Sequence, residues 1–307
     1  MSERHFSLQH LSRRAAVALG AASLLAGFAA APAWAQQIPG GAGDYTPQRG
    51  QAGKDVVWVP TPDELVTRML QLGGVTANDF VMDLGAGDGK IVIAAAKQFG
   101  ARGVGIEYNP EMVAHAAGRV QAAGVQGRAS VVQGDIFETD LSKADVITMY
   151  LLPTLNIRLR PTLMQLKPGT RLVTHAFTMG GWEPDETSRA GGATAYLWLV
   201  PANATGNWQL TYPQRNGATS VRVDVTAQRY QFPEGMVQFQ GMETSLRDAR
   251  VAGDRVRFGF TGTDGVFRRF DGRISGNRMQ GNVTDGQRSD AFTAERRSVA
   301  RDIDMLD

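Results

Sequence analysis

FVMDLGAGDGKIVIAAAKQFG, Phe80 to Gly100, is the stretch whose reading decides the fold. Phe80, Val81 and Met82 form a short apolar run ending in Asp83, which predicts a buried strand. A glycine turn follows, then an Ala-rich helix that closes at Gly100. Gly85, Gly87 and Gly89, with Ala86 between the first two, permit backbone angles and a closeness of approach that larger residues forbid. The first N–H groups of the helix point into the same space, so a ligand is expected to lie across the turn.

Spacing separates two ligand classes. Dinucleotide sites use G-x-G-x-x-G and seat a pyrophosphate on the helix N-terminus. Here the order is D-x-G-x-G-x-G, Asp83 to Gly89, with a second acid, Asp88, inside the turn. Two acids repel pyrophosphate and suit a cationic ligand with a free amino group. With this motif the chain resembles the class I S-adenosylmethionine-dependent methyltransferases. Their ligand carries a sulfonium, an ammonium and a ribose, and no phosphate. The resemblance implies S-adenosyl-L-methionine as cofactor, held by Asp83, Gly85, Ala86, Gly87 and Gly89.

The next two strands extend the pattern. In RGVGIEYNP, Val104 to Ile106 are apolar and Glu107 closes the strand, followed by Tyr108; Asn109-Pro110 then caps a helix to about Gly124. The third strand, Ala129 to Val132, ends in Gln133-Gly134-Asp135-Ile136. The resemblance implies that Glu107, with Tyr108 beside it, receives the ribose hydroxyls. It also implies that Asp135 binds the adenine amino group while Ile136 lies against the ring. A polar residue closing a strand explains any one of these acids; three in order at family spacing argue for a site.

Upstream, VVWVPTPDELVTRMLQLGG predicts an extended piece and then a helix whose apolar face is Leu65, Val66, Met69 and Leu70. Thr61 and Glu64 have capping-box spacing, with Pro62 at the first helical position. The VPTP element also resembles the small lysine methyltransferases related to the mitochondrial ATP-synthase c-subunit enzyme, which implies that Pro60 and Thr61 lie near the cofactor. Downstream, Asp145 opens the fourth strand, and MYLLP at its end has the form of the same group. The crevice rule for open α/β sheets places the reacting methyl there, beside Tyr150, which reads equally well as an aromatic capping the sheet. A helix interrupted near Pro161 follows, then a strand from Leu172 to Phe177 and a last one from Thr194 to Pro201. His175, on the former, is either a base or a hydrogen-bonded structural residue. The alternation predicts an α/β fold, a doubly wound, mainly parallel sheet over residues 56–201.

From about Asn203 to Arg297 the rhythm changes to short alternating strands with Gly253-Asp254, Asp264-Gly265 and Gly276-Asn277 turns. This predicts a small antiparallel barrel or sandwich, in which Phe232, Phe239, Phe258, Phe260, Phe267 and Phe270 form core or line a ligand cavity. The tail 298–307 is expected to fray. At the other end, Arg13-Arg14, an Ala-rich run and Ala33-Trp34-Ala35 give residues 1–35 the form of a twin-arginine export signal and imply a periplasmic protein, or a cytoplasmic one if the signal is unused. Residues 36–55, rich in Gly and Gln, read as a flexible linker.

A net charge of +2 gives no basic face for nucleic acid, and the absence of Cys excludes disulfides and thiolate ligands. No metal is expected. Together these readings describe a methyltransferase with an appended β domain, its acceptor, by the narrower resemblance, a protein lysine. The alternative is an exported ligand-binding protein without turnover, motivated by the difficulty of resupplying the cofactor after export.

Overall fold

In the computed structural model, residues 45–214, 217–298 and 300–305 are described. The export signal, the first part of the linker and the final two residues lie outside them. β1 (Phe80–Leu84) is the axis of a seven-stranded sheet. Successive side chains of a strand point to opposite faces, and Val81 accordingly packs with Leu65 and Ile91, whereas Met82 and Leu84 pack with Leu159 and Leu163. Helices therefore cover both faces: α1 (Asp63–Leu72) and α2 (Lys90–Phe99) on one, α4 (Pro153–Met164) on the other. α3 (Pro110–Ala122) packs with α2 beside the outer strands through Ala116 and Val120.

The chain leaves β1 for β2 (Arg102–Glu107) and β3 (Ala129–Gln133) on one side, then crosses to β4 (Val146–Met149) and β5 (Arg171–His175) on the other. These five strands are parallel. The reversal of strand order between β1 and β4 opens a crevice at their carboxyl ends. An antiparallel hairpin, β6 (Glu186–Ala190) and β7 (Ala193–Leu199), completes the edge through β7. The sequence reading has only one strand here. β6 is a polar edge strand, ETSRA, with no apolar alternation to reveal it.

Two local expectations fail. α1 has Pro62 at its N-cap and no side-chain cap, because Thr61 is turned toward β5 instead of back onto its own helix. α4 runs through Pro161 without interruption; Pro161 is on the exposed face, where the carbonyl it leaves without a helical donor can meet water.

Residues 206–296 form one nine-stranded antiparallel sheet: β8 (Gly206–Gln214), β9 (Gly217–Arg229), β10 (Phe232–Phe239), β11 (Met242–Ser245), β12 (Arg247–Ala252), β13 (Arg255–Thr261), β14 (Phe267–Ser275), β15 (Arg278–Thr284) and β16 (Ser289–Arg296). Its two margins approach each other, with Leu246 N–H donating to Gly235 O and Val251 N–H to Gln231 O, so the sheet is nearly closed into a barrel. Trp208, Tyr212, Phe258, Phe260, Phe270 and Phe292 fill it. Phe258 and Phe270 stack at 4.9 Å. Phe267, one of the six expected interior aromatics, is 36% exposed. The apolar void beside Trp208 and Phe258 measures 20 Å³, room for about one water, so these aromatics make a packed core and no ligand cavity.

The described part of the tail, residues 298 and 300–305, is bonded to the rest of the chain. Asp304 forms a parallel backbone β-bridge with Arg229, Arg301 O accepts from Asn203 and Thr205, and Met305 O accepts from Tyr230 Oη and from Arg160 of α4. Nor is the described part of the linker free: Gly50 N–H donates to Trp58 O and Trp58 N–H to Gln51 O, making a hairpin-like strap over the crevice.

Candidate functional site

The crevice is a cleft of 630 Å³ at the carboxyl ends of β1, β2, β3 and β4, roofed by residues 51–61. Every candidate cofactor-binding or catalytic residue of the sequence lines it except Gly89, the N-cap of α2 just behind the turn, and His175.

The floor is the glycine turn. Gly85 N–H and Ala86 N–H both donate to Ile106 O, folding the turn against β2. This close approach needs Gly105, where a Cβ would collide with that of Ala86. Gly87 has φ +51°, and a Cβ there would press on the Trp58 indole, 2.9 Å from its Cδ1. Trp58 thus seats the strap on the turn. Gly87→Ala is expected to expel the indole and to weaken S-adenosylhomocysteine binding about tenfold, from ~1–2 kcal/mol of backbone strain alone. Titration with tryptophan fluorescence checks this; an unshifted emission maximum and unchanged affinity would refute it.

Three carboxylates stand around this floor in different surroundings. Asp83, 2% exposed, accepts a hydrogen bond from Thr148 Oγ1 at 2.7 Å. Burial pushes its pKa up to about 7, helped by the negative charges of Asp88 and Glu107. Glu107 accepts from Gly87 N–H through Oε2 at 2.9 Å and from Asn109 N–H through Oε1 at 3.0 Å. Both of its oxygens are thereby aimed, with lone pairs still open to a diol. Asp135 accepts from Phe137 N–H at 2.9 Å and pairs with Lys54 of the strap at 2.7 Å. The Lys54 ammonium, with that N–H, holds its carboxyl below the usual carboxylate range. Lys54 Nζ also sits 4.4 Å over the half-exposed Tyr108 ring. Asp88, expected as a second acid for a cationic ligand, is instead paired with Arg119 of α3, which leaves Asp83 as the buried acid of the turn.

At the other end of the cleft, Tyr150 shares the wall with Leu151, Leu155 and Phe177. His175 stacks behind Tyr150 at 3.7 Å, and its Nδ1 is 3.1 Å from Thr61 Oγ1. Burial drops its pKa to about 4. It is therefore neutral near pH 7. His175 links α1's entry to the ring of Tyr150.

Three participants escape the sequence reading: Lys54, Trp58 and Lys90. Lys90 Nζ donates to Thr61 O at 3.0 Å and pairs with Asp63 at 2.8 Å, tying α2 to the VPTP element. The only sequence signal for the strap is the apolar VVWV that ends it.

A ligand with an ammonium, a vicinal diol and an aromatic amine matches this lining. A buried acid awaits the first, an oriented acid the second, and an acid next to half-buried Ile136 the third. Comparison with known proteins points the same way. Residues 83–186 match the ANTKMT methyltransferase domain. The chain is 45% identical over 151 residues to a protein-lysine N-methyltransferase of Saccharolobus islandicus, covering 47% of this chain and 94% of that one. It is 33% identical to the mouse lysine N-methyltransferase of the ATP synthase c-subunit over 40% of this chain, spanning about half of that relative's length (49%). Among solved structures, one described as an RNA methyltransferase from Salinibacter ruber in complex with S-adenosyl-L-homocysteine is 51% identical over 47% of this chain and 94% of its own, with a TM-score of 0.46. Glycine turn, acid-closed strands and near-complete coverage of the archaeal relative agree: this chain belongs to the ANTKMT family of S-adenosylmethionine-dependent methyltransferases.

Proposed function

We propose that the protein methylates lysine side chains of other proteins. The observation that carries this reading is the 45% identity to a protein-lysine N-methyltransferase matched over 94% of its length. In this reading Asp83 receives the ammonium of the cofactor, Glu107 its ribose hydroxyls, and Asp135 with Ile136 its adenine. The backbone of Gly85 to Gly87 is the surface against which the ligand lies. When bound, S-adenosylmethionine supplies an electrophilic methyl on its sulfonium.

What the chain's own residues contribute is orientation and exclusion of water. Tyr150 and Phe177, backed by His175, form an aromatic wall at the carboxyl ends of β4 and β5. Such a wall desolvates an incoming amine, favouring the neutral form that can attack. With the cofactor bound, a neutral amine held at this wall would take up the methyl, the sulfonium would become a neutral thioether, and the amine's proton would pass to solvent. Holding the reactants at near-attack distance supplies most of the acceleration.

The test is to incubate the full chain with methyl-labelled cofactor and three acceptors: a lysine-containing polypeptide, the same polypeptide with every Lys replaced by Arg, and total RNA. Label in the first alone, with mass increments on lysine, is the expected result. Label in RNA alone, or equal label in both polypeptides, would overturn the lysine reading while leaving methyl transfer in place.

A further inference from the structure

About half of this chain has no counterpart in the archaeal relative, and the family match ends at residue 186, before the barrel begins. The barrel's side-chain bonds to the methyltransferase half gather on the loop 176–185, which carries Phe177 of the cleft wall. Tyr230, at the end of β9, stacks on Trp182 with centroids 6.0 Å apart and planes within 5°. Gln231 Nε2 donates to Glu183 O at 2.9 Å, and Arg250 pairs with Asp185 at 2.8 Å.

The C-terminal run joins the same junction. Met305 O accepts from Tyr230 Oη at 2.8 Å and from Arg160 Nη2 at 3.3 Å, while Arg160 Nη1 donates to Met179 O at 3.0 Å. Buried Arg160 thus spans the tail and the loop. Tyr230 is held at φ +51°, a left-handed angle that a non-glycine residue keeps only where its surroundings impose it. Here its N–H donates to Asp304 O, its ring lies on Trp182 and its hydroxyl on Met305 O. From the other side Asn156 Nδ2 donates to Thr178 O at 3.2 Å, and Thr174 Oγ1 to Phe177 O at 2.5 Å.

We infer that the barrel and the C-terminal run act as a clamp on the acceptor-side wall of the active site, with Arg160 and Tyr230 as positioning residues acting through the Met179–Trp182 segment on Phe177. The assignment of this wall to the acceptor rests on the function proposed above. The barrel is then part of the methylating machinery although it contributes no residue to the cleft.

Tyr230→Phe removes the hydroxyl bond to Met305 O and keeps the stack; Arg160→Met removes the span between tail and loop. Phe258→Leu, in the barrel core away from the junction, controls for simple loss of stability. Amide hydrogen exchange of the full chain saturated with S-adenosylhomocysteine is followed by mass spectrometry. Peptides spanning 174–182 are expected to exchange about fivefold to tenfold faster in Tyr230→Phe, as loss of one net hydrogen bond implies, and at least as much faster in Arg160→Met, which loses the bonds to both Met179 O and Met305 O. Peptides spanning 80–90 and the affinity for S-adenosylhomocysteine should stay unchanged. With poly-L-lysine as acceptor, the KM for acceptor should rise while the KM for cofactor stays constant. Phe258→Leu should lower Tm and do neither. Unchanged exchange at 174–182, or the same change in Phe258→Leu, overturns the clamp. A wild type that binds S-adenosylhomocysteine and leaves poly-L-lysine unmethylated counts against the lysine reading, and the exchange result still decides the clamp.

Discussion

Glu107→Ala is expected to weaken S-adenosylhomocysteine binding by about a hundredfold or more, the largest effect of any single substitution in the cleft. The side chain does two things at once. Its two oxygens fix Gly87 N–H and Asn109 N–H, so the turn after β1 and the turn after β2 are held in register by one carboxylate. The same oxygens would accept the ribose hydroxyls in charge-assisted hydrogen bonds, each worth ~1.5–3 kcal/mol. Losing two such bonds costs about 3–6 kcal/mol, which converts to that factor before the loosened turns are counted. Glu107→Gln should recover little, because its amide nitrogen must face one of two backbone N–H groups, donor against donor. Calorimetric titration decides the matter: dissociation constants within fivefold of the wild type for the Ala variant would remove Glu107 from the cofactor site.

The second large effect is a pair of opposite changes on replacing Asp83 with Asn. A carboxyl whose folded pKa is raised by burial binds more protons in the folded state than in the unfolded one, so stability falls as pH rises from the unfolded value through the folded one. For Asp83 that window runs from 3.8 to about 7. At 1.36 kcal/mol per pH unit, the cost of keeping it ionised above pH 7 approaches ~4 kcal/mol, an upper bound for the ligand-free protein. Asp83→Asn should therefore raise Tm at pH 8 and change little at pH 4. The same substitution removes the buried negative charge that, in the proposed site, would meet the cofactor ammonium, and should weaken binding about tenfold to a hundredfold. The two effects share one cause, a site that holds an acid in an unfavourable state until a cation arrives. Binding to the wild type between pH 5 and 7 should accordingly release a proton, visible as a dependence of the calorimetric heat on the ionisation enthalpy of the buffer. No buffer dependence, together with equal pH–stability slopes for wild type and variant, would show that Asp83 is not the acid being charged.

Much of this architecture is legible because it is written in short-range terms. An apolar run closed by an acid, a glycine turn and a helix start all lie within about ten residues of one another, and that pattern picks out Asp83, Glu107 and Asp135. The alternating valines and phenylalanines of the second half reveal its antiparallel sheet by the same logic. What escapes depends on partners far along the chain. Thr61 reads as the cap of its own helix because Glu64 has the right spacing, whereas its partner is His175, 114 positions away. Lys54 in a Gly- and Gln-rich segment gives no sign that it meets Asp135, 81 positions on. The C-terminal run looks free because its anchors, Asn203, Tyr230 and Arg160, belong to three separate elements. Local chemistry announces a turn or a strand end; it does not announce which distant surface a polar segment will cover.

The bond between Met305 O and Arg160 sets a timetable for synthesis. The cofactor turn, the three acids and Tyr150 all lie within the first half of the chain and can assemble while the ribosome is still reading the barrel. The carbonyl that steadies Arg160, and through it Met179, belongs to Met305, 145 positions further along the chain and beyond the whole barrel. If the clamp inferred above holds, a nascent chain acquires the means to bind its cofactor before the wall for its acceptor is secured.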